Sequence, residues 1–262
     1  MSLGMSGMFG ALGATVASKG AGGGGGGGGD NLGTASNPAT SARQLRDSGI
    51  STQGAYYINL PTVGTTQIYC APQSNFQGGG WMLAWKCTRG SRFHYDTNYW
   101  TSANTYAESD MTRNDSDAKY HTFNYYTGTD FMAIFPDLNN GGQASGYGNG
   151  WSWYQPNVNQ TCLSRFQSQG QISGNPRGES MWSGSGFSAQ GGFQWYGFNY
   201  TGDSGNAMRW GFGWNNEGGQ GSNDVCSGIG HRRTDSSAGD HIYCCQSTTG
   251  VNRTIRAEIW VR

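Results

Sequence analysis

The chain has 262 residues, 46 of them Gly, and its 16 Lys plus Arg balance 16 Asp plus Glu. Gly costs about 1 kcal/mol per helix position relative to Ala, so this share excludes most helical folds. An aromatic content of 13% excludes a charge-solvated disordered chain, and zero net charge leaves no electrostatic footprint for nucleic acid or an anionic membrane. What remains is a loop-rich or β-rich globule whose aromatics supply the buried area, long enough for one large domain plus a small appendage.

Residues Met1 to Ser18 carry no charge, Lys19 follows, and eight consecutive glycines run from Gly22 to Gly29. A signal peptide wants its positive charge before the apolar stretch, not after it, and a transmembrane helix wants about 20 strongly apolar residues without Gly dilution. Two readings fit better. Gly4, Gly7, Gly10 and Gly13 suit close backbone approach in an assembly with other subunits, and the poly-Gly run suits a flexible linker. Residues 1–29 are therefore expected as an anchoring or assembly segment, and 30–40, with Asn37-Pro38 as breaker, as a linker.

Residues 41–50 place Leu45 in a short helical pattern that ends at Gly49. Runs at Tyr56–Leu60, Gln67–Cys70 and Trp81–Trp85 are aromatic and β-branched and read as strands. Ile255 to Val261 alternates as a terminal strand with one buried face. Between Gly141 and Gly221 lie Gly, Ser and Asn stretches studded with Trp and Tyr, which read as long loops of functional or metal-pinned kind.

Gly202-Asp203-Ser204-Gly205 matches the residues around a trypsin-like nucleophile, but Asn206 stands where that pattern needs Gly, and neither His94 nor His121 has the matching setting. No phosphate loop, dinucleotide fingerprint or nucleophile elbow is present, so no enzyme is expected. Cys226, His231, His241, Cys244 and Cys245 have the residue types for zinc without its usual short spacings. Oxygen ligands are better represented. Asn216, Glu217, Asp224 and Asp240 cluster in a Gly-rich segment suited to calcium, although the same residues also make turns. Trp210, Phe212, Trp214 and Tyr243 in that segment either floor a sugar site or pack.

Tyr69-Cys70 followed by Gly78-Gly79-Gly80-Trp81 resembles the hallmark of fibrinogen-like C-terminal domains. Trp214-Asn215-Asn216-Glu217 leading to Cys226-Ser227-Gly228 is similar to the intelectin branch, and Ser237–Asp240 through Cys244-Cys245 to Glu258–Arg262 resembles fibrinogen-like proteins of marine tailed-phage virions. The resemblance covers about residues 41–262, with its motifs at the two ends. It implies an α+β, loop-rich fold with a central twisted, mostly antiparallel sheet and long Gly/Asn-rich loops. It also implies a calcium site from Asn216, Glu217, His231 and Asp240, to which the oxygen-ligand reading adds Asp224, and a bridge from Cys226 to Cys244 or Cys245. Cys70 lacks its upstream partner and is left free or paired elsewhere, Cys87 and the leftover vicinal Cys being the options, and Cys162 has no assigned partner.

The functional expectation is a virion-displayed recognition module, of tail-fibre or head-appendage type, binding host cell-surface carbohydrate with Trp214, His241 and Tyr243 beside the calcium loop. Its subunit partners would be engaged through residues 1–30, in a homo-oligomer with a trimer foremost. The alternatives are a structural capsid-decoration or tail-assembly protein, and a secreted calcium-dependent lectin.

Overall fold

The computed structural model describes residues 31–73, 78–137, 152–167, 172–173, 195–201, 205, 207–214, 225–242 and 253–262. Helix α1 spans Ala42–Asp47, capped by Ser41, whose Oγ accepts from the Gln44 N–H at 3.2 Å. It ends where sequence placed it. Gly49 N–H donates to the Arg46 carbonyl and Ile50 N–H to that of Leu45, the paired bonds of a Schellman stop.

Strands β1 (Gly54–Leu60), β2 (Gly64–Ala71), β3 (Trp81–Cys87), β4 (Ala118–Lys119), β5 (Phe131–Ile134), β6 (Ser152–Gln155) and β13 (Ala257–Val261) form one antiparallel sheet. Its order is β1-β2-β3-β13-β5-β6, with β4 pairing beside β2 on the same edge of β3. At the entry to β3, Gly79 has φ +73°, and a Cβ there would lie 2.2 Å from the Pro72 carbonyl oxygen; only Gly fits that turn. The stretch read as a linker is docked. Gly33 and Ala39 exchange backbone hydrogen bonds with Tyr57 and Asn59, covering the free edge of β1.

The C-terminal strand corrects the expectation of one buried face. All five residues of β13 are buried, because the strand lies centrally between β3 and β5. Ile259 and Val261 join the main core on one face, while Glu258 and Trp260 lie under the 107–117 loop on the other. A bulge at Ala84 of β3 shifts register between Ile259, opposite Trp85, and Trp260, opposite Leu83.

A second antiparallel sheet has the order β12-β11-β10-β9-β8-β7: Arg253–Thr254, Ala238–Ile242, Val225–His231, Ala207–Trp214, Trp195–Thr201 and Ile172–Ser173. β8 and β9 lie within the stretch read as loop. Register aligns Gly197, Gly211, Gly228 and Gly239 in one row across four strands. The row brings neighbouring backbones close: a Cβ on Gly228, at φ +151°, would lie 2.2 Å from the Trp210 carbonyl oxygen.

The two sheets share an aromatic core. Phe131 of the first contacts Phe198 and Trp210 of the second, each at 6.4 Å between centroids, and Phe198 stacks on Trp210 at 5.1 Å. A chain of rings, Trp85–Trp100–Phe166–Phe198, runs through the centre. Helices α2 (His121–Tyr125) and α3 (Cys162–Gln167) stack Phe123 on Phe166 at 5.6 Å. Among the described residues the fold is thus dominated by antiparallel sheet, with α1, α2 and α3 the α-helical elements and a short 3-10 turn at Asn98–Trp100.

Candidate functional site

Three of the second sheet's connecting segments meet it at one end, while those between β8 and β9 and between β10 and β11 meet it at the other. Trp214, the last residue of β9, is opposite Val225, the first of β10, and Val225 is opposite Ile242, the last of β11. Trp195, which opens β8, lies opposite Gly213. The segments 174–194, 215–224 and 243–252 therefore all join the sheet at this end.

Asn216 and Glu217 follow β9 within three residues, Asp224 immediately precedes β10, and Tyr243, Cys244 and Cys245 directly follow β11; all six lie outside the described residues. Inside the sheet, Cys226 is opposite His241, and Asp240 is opposite both Ser227 and Arg253. Backbone register thus brings Trp214, His241 and Asp240 to the same end as the loop residues. Glu217, Asp224 and Asp240 carry carboxylates and Asn216 an amide, hard oxygens of the kind calcium takes.

His231 does not belong to this group. It closes β10 six residues beyond Val225, about 20 Å along the strand at about 3.3 Å per residue. Its ring is buried, with Nε2 2.9 Å from the Gly239 carbonyl oxygen, and its own carbonyl accepts from the Tyr95 N–H at 3.1 Å. The register places the His231 backbone at the opposite end of β10 from Val225, while its buried ring reaches back to the Gly239 carbonyl, one residue before Asp240, and is taken up by that bond. The zinc alternative of Cys226, His231, His241, Cys244 and Cys245 has Cys244 and Cys245 outside the described residues, and among the described residues no group of three or more His, Cys, Asp or Glu side chains is placed to hold a metal.

Cys70, Cys87 and Cys162 are buried and free. Pairing of Cys70 with Cys87 is excluded by register: Cys70 is opposite Met82, so Cys87 stands five residues further on, about 16 Å away at strand spacing, against about 6 Å for a disulfide. Burial pushes all three thiols well above their ordinary pKa.

Sequence reading missed the charged side chains that fix the scaffold. Lys86, 2% exposed, donates to Asp110 Oδ2 at 2.8 Å and Asn114 Oδ1 at 2.5 Å, and Ser116 bonds the same two oxygens. Burial works against the Asp110 charge, but the Lys86 ammonium and the Ser116 and Thr112 hydroxyls outweigh it and hold the carboxyl below its usual range. Arg209 donates to the carbonyls of Tyr95 and Phe166 and lies 4.0 Å over the Tyr95 ring, tying the 93–100 segment to the second sheet. Lys119 is fully buried, donates to the Ser102 carbonyl at 2.7 Å, and is pulled down to about 7 by burial. Their signal in sequence was isolation: 3 Lys in the whole chain, two of them in core positions.

The chain is similar to the fibrinogen-like globe domain of human ANGPTL6, at 13% identity and a TM-score of 0.42, over 86% of this chain and 96% of that one. That is a likeness of outline, and no residue role is taken from it. No protein-family model matches the chain, and no curated protein matches it.

Proposed function

We propose that the protein is a non-enzymatic recognition module that binds host cell-surface glycan at the loop-bearing end of its second sheet, from the surface of a virion. The observation that carries this reading is the aligned row Trp214–Val225–Ile242, which brings the Gly- and Asn-rich segment 215–224 and the segment 243–252 to one sheet end, where 174–194 also joins through Trp195. Loops grouped on a rigid sheet are where binding sites are built. Calcium would be held by Asn216, Glu217 and Asp224, with Asp240 entering from β11, and would order segments too poor in apolar residues to order themselves. Trp214, His241 and Tyr243 supply rings for the C–H faces of sugars, and neighbouring amides and backbone groups satisfy hydroxyls.

The virion setting draws on the resemblance of the C-terminal stretch to tailed-phage proteins and on the charge-free, Gly-rich residues 1–29, which suit assembly with neighbouring subunits as a trimer. The test is a glycan array probed with and without chelator. Calcium-dependent binding to a defined glycan class supports the reading; a silent array in the presence of calcium overturns it in favour of a structural role.

A further inference from the structure

A second surface, remote in sequence from the loop end, has the chemistry of a binding face. In the β1–β2 hairpin, Ile58, Leu60, Ile68 and Cys70 point into the core, so the alternate residues face outward. They form cross-strand pairs: Ala55 with Tyr69, Tyr57 with Gln67, and Asn59 with Thr65. Ala55, Asn59, Thr65 and Gln67 are exposed and Tyr57 is half-buried. Only Tyr69 is covered, its ring 6.0 Å edge-on to Trp260 beneath the 107–117 loop. One half of the first sheet's outer face is therefore roofed by that loop, and among the described residues nothing covers the hairpin half.

The bare half carries no charge. No Asp, Glu, Lys, Arg or His occurs from Ser48 to Trp85, nor from Asn31 to Ala42, the segment that covers the β1 edge. Here the roofing loop next door holds Asp110, Arg113, Asp115 and Asp117, so the chain places charge beside this face and omits it from the face itself.

We propose that this face binds an extended, uncharged glycan, independently of the calcium loop. The side-chain inventory fits: amides on Asn59 and Gln67 and the Thr65 hydroxyl for sugar hydroxyls, and the Tyr57 ring for a sugar's C–H face. Size argues against a second copy of the chain as occupant. Edge segment, β1 and β2 make a face of roughly 20 by 15 Å, about 300 Å², well short of the about 800 Å² per partner of a stable protein interface. A narrow, elongated, neutral strip suits a linear polymer of sugars instead.

The test is native electrophoresis of the full chain through gels containing a soluble β-glucan, dextran or galactomannan, with chelator present throughout. The expected result is retardation by at least one polymer, unchanged by added salt because no charge pair is involved, and about tenfold weaker for Tyr57→Ala. Tyr57→Ala and Gln67→Ala alter outward-facing side chains, and thermal melting of each variant verifies that the fold is kept. Failure of all three polymers to retard the protein overturns the proposal, as does retardation that survives Tyr57→Ala combined with Gln67→Ala in one chain. Concentration-dependent self-association abolished by Tyr57→Ala also overturns it, in favour of a second copy on this face. Because chelator is present, the outcome is separable from that of the calcium-dependent site.

Discussion

Arg113 holds Glu258 with its guanidinium fork: Nε lies 3.0 Å from both carboxylate oxygens and Nη2 lies 2.8 Å from Oε2. Glu258, 1% exposed, also accepts from the Trp260 indole N–H at 2.9 Å. This pair closes the 107–117 loop over the central strand. Arg113→Ala leaves a buried carboxylate without its cation and is expected to cost about 3 kcal/mol in urea denaturation. Arg113→Met with Glu258→Met should recover most of that loss; equal losses in single and double variants would refute the pairing.

Lys119 sets a pH dependence of stability. Its folded-state pKa, about 7, lies below the ordinary 10.5 because burial disfavours the ammonium. The unfolded chain therefore binds more protons between those values, and stability rises with pH across that window. The contribution is fully present above 10.5 and is lost as pH falls through 7. Lys119→Met should thus be more stable than the parent at pH 6, by up to a few kcal/mol, with the advantage shrinking toward pH 10. Urea titrations at pH 6, 8 and 10 measure it.

Two glycines with unusual φ should respond differently to Ala. At Gly49 nothing lies within 4 Å of an added Cβ, so Gly49→Ala should cost about 1 kcal/mol for the left-handed backbone alone. At Gly228 the added atom meets backbone of β9, and Gly228→Ala should lower stability by about 4 kcal/mol or prevent folding. Comparative thermal melting decides.

The buried thiols should be silent in the native state. Cys70, Cys87 and Cys162 are expected to resist a thiol reagent until denaturant is added, since burial both blocks access and disfavours the thiolate. Mass-mapped labelling of any of them in the folded protein would contradict the core described above.

What sequence made legible was local. Ser41 and Gly49 bracket α1 because caps act within a turn, and Gly79 and Gly80 mark the β3 entry because their backbone is left-handed. The central placement of β13 was hidden because Glu258 reads as a solvent residue, and its partner Arg113 lies 145 positions away. β8 and β9 were hidden because Gly197 and Gly211 read as breakers until pairing aligns them in one row. His231 was grouped with the acids because it is near them in sequence, and a straight strand separates residues that sequence distance joins.

The central claim is that the calcium-ordered glycan site lies at the loop end of β9, β10 and β11. The most direct test is glycan retention by immobilised protein during calcium titration, comparing the parent with Glu217→Gln and His231→Gln. Glu217→Gln should weaken the calcium dependence about tenfold or more, while His231→Gln, altered at a buried ring bonded to the Gly239 carbonyl, keeps it once melting shows the variant is folded. Equal loss in a folded His231→Gln, or retention indifferent to both calcium and Glu217→Gln, would contradict the account.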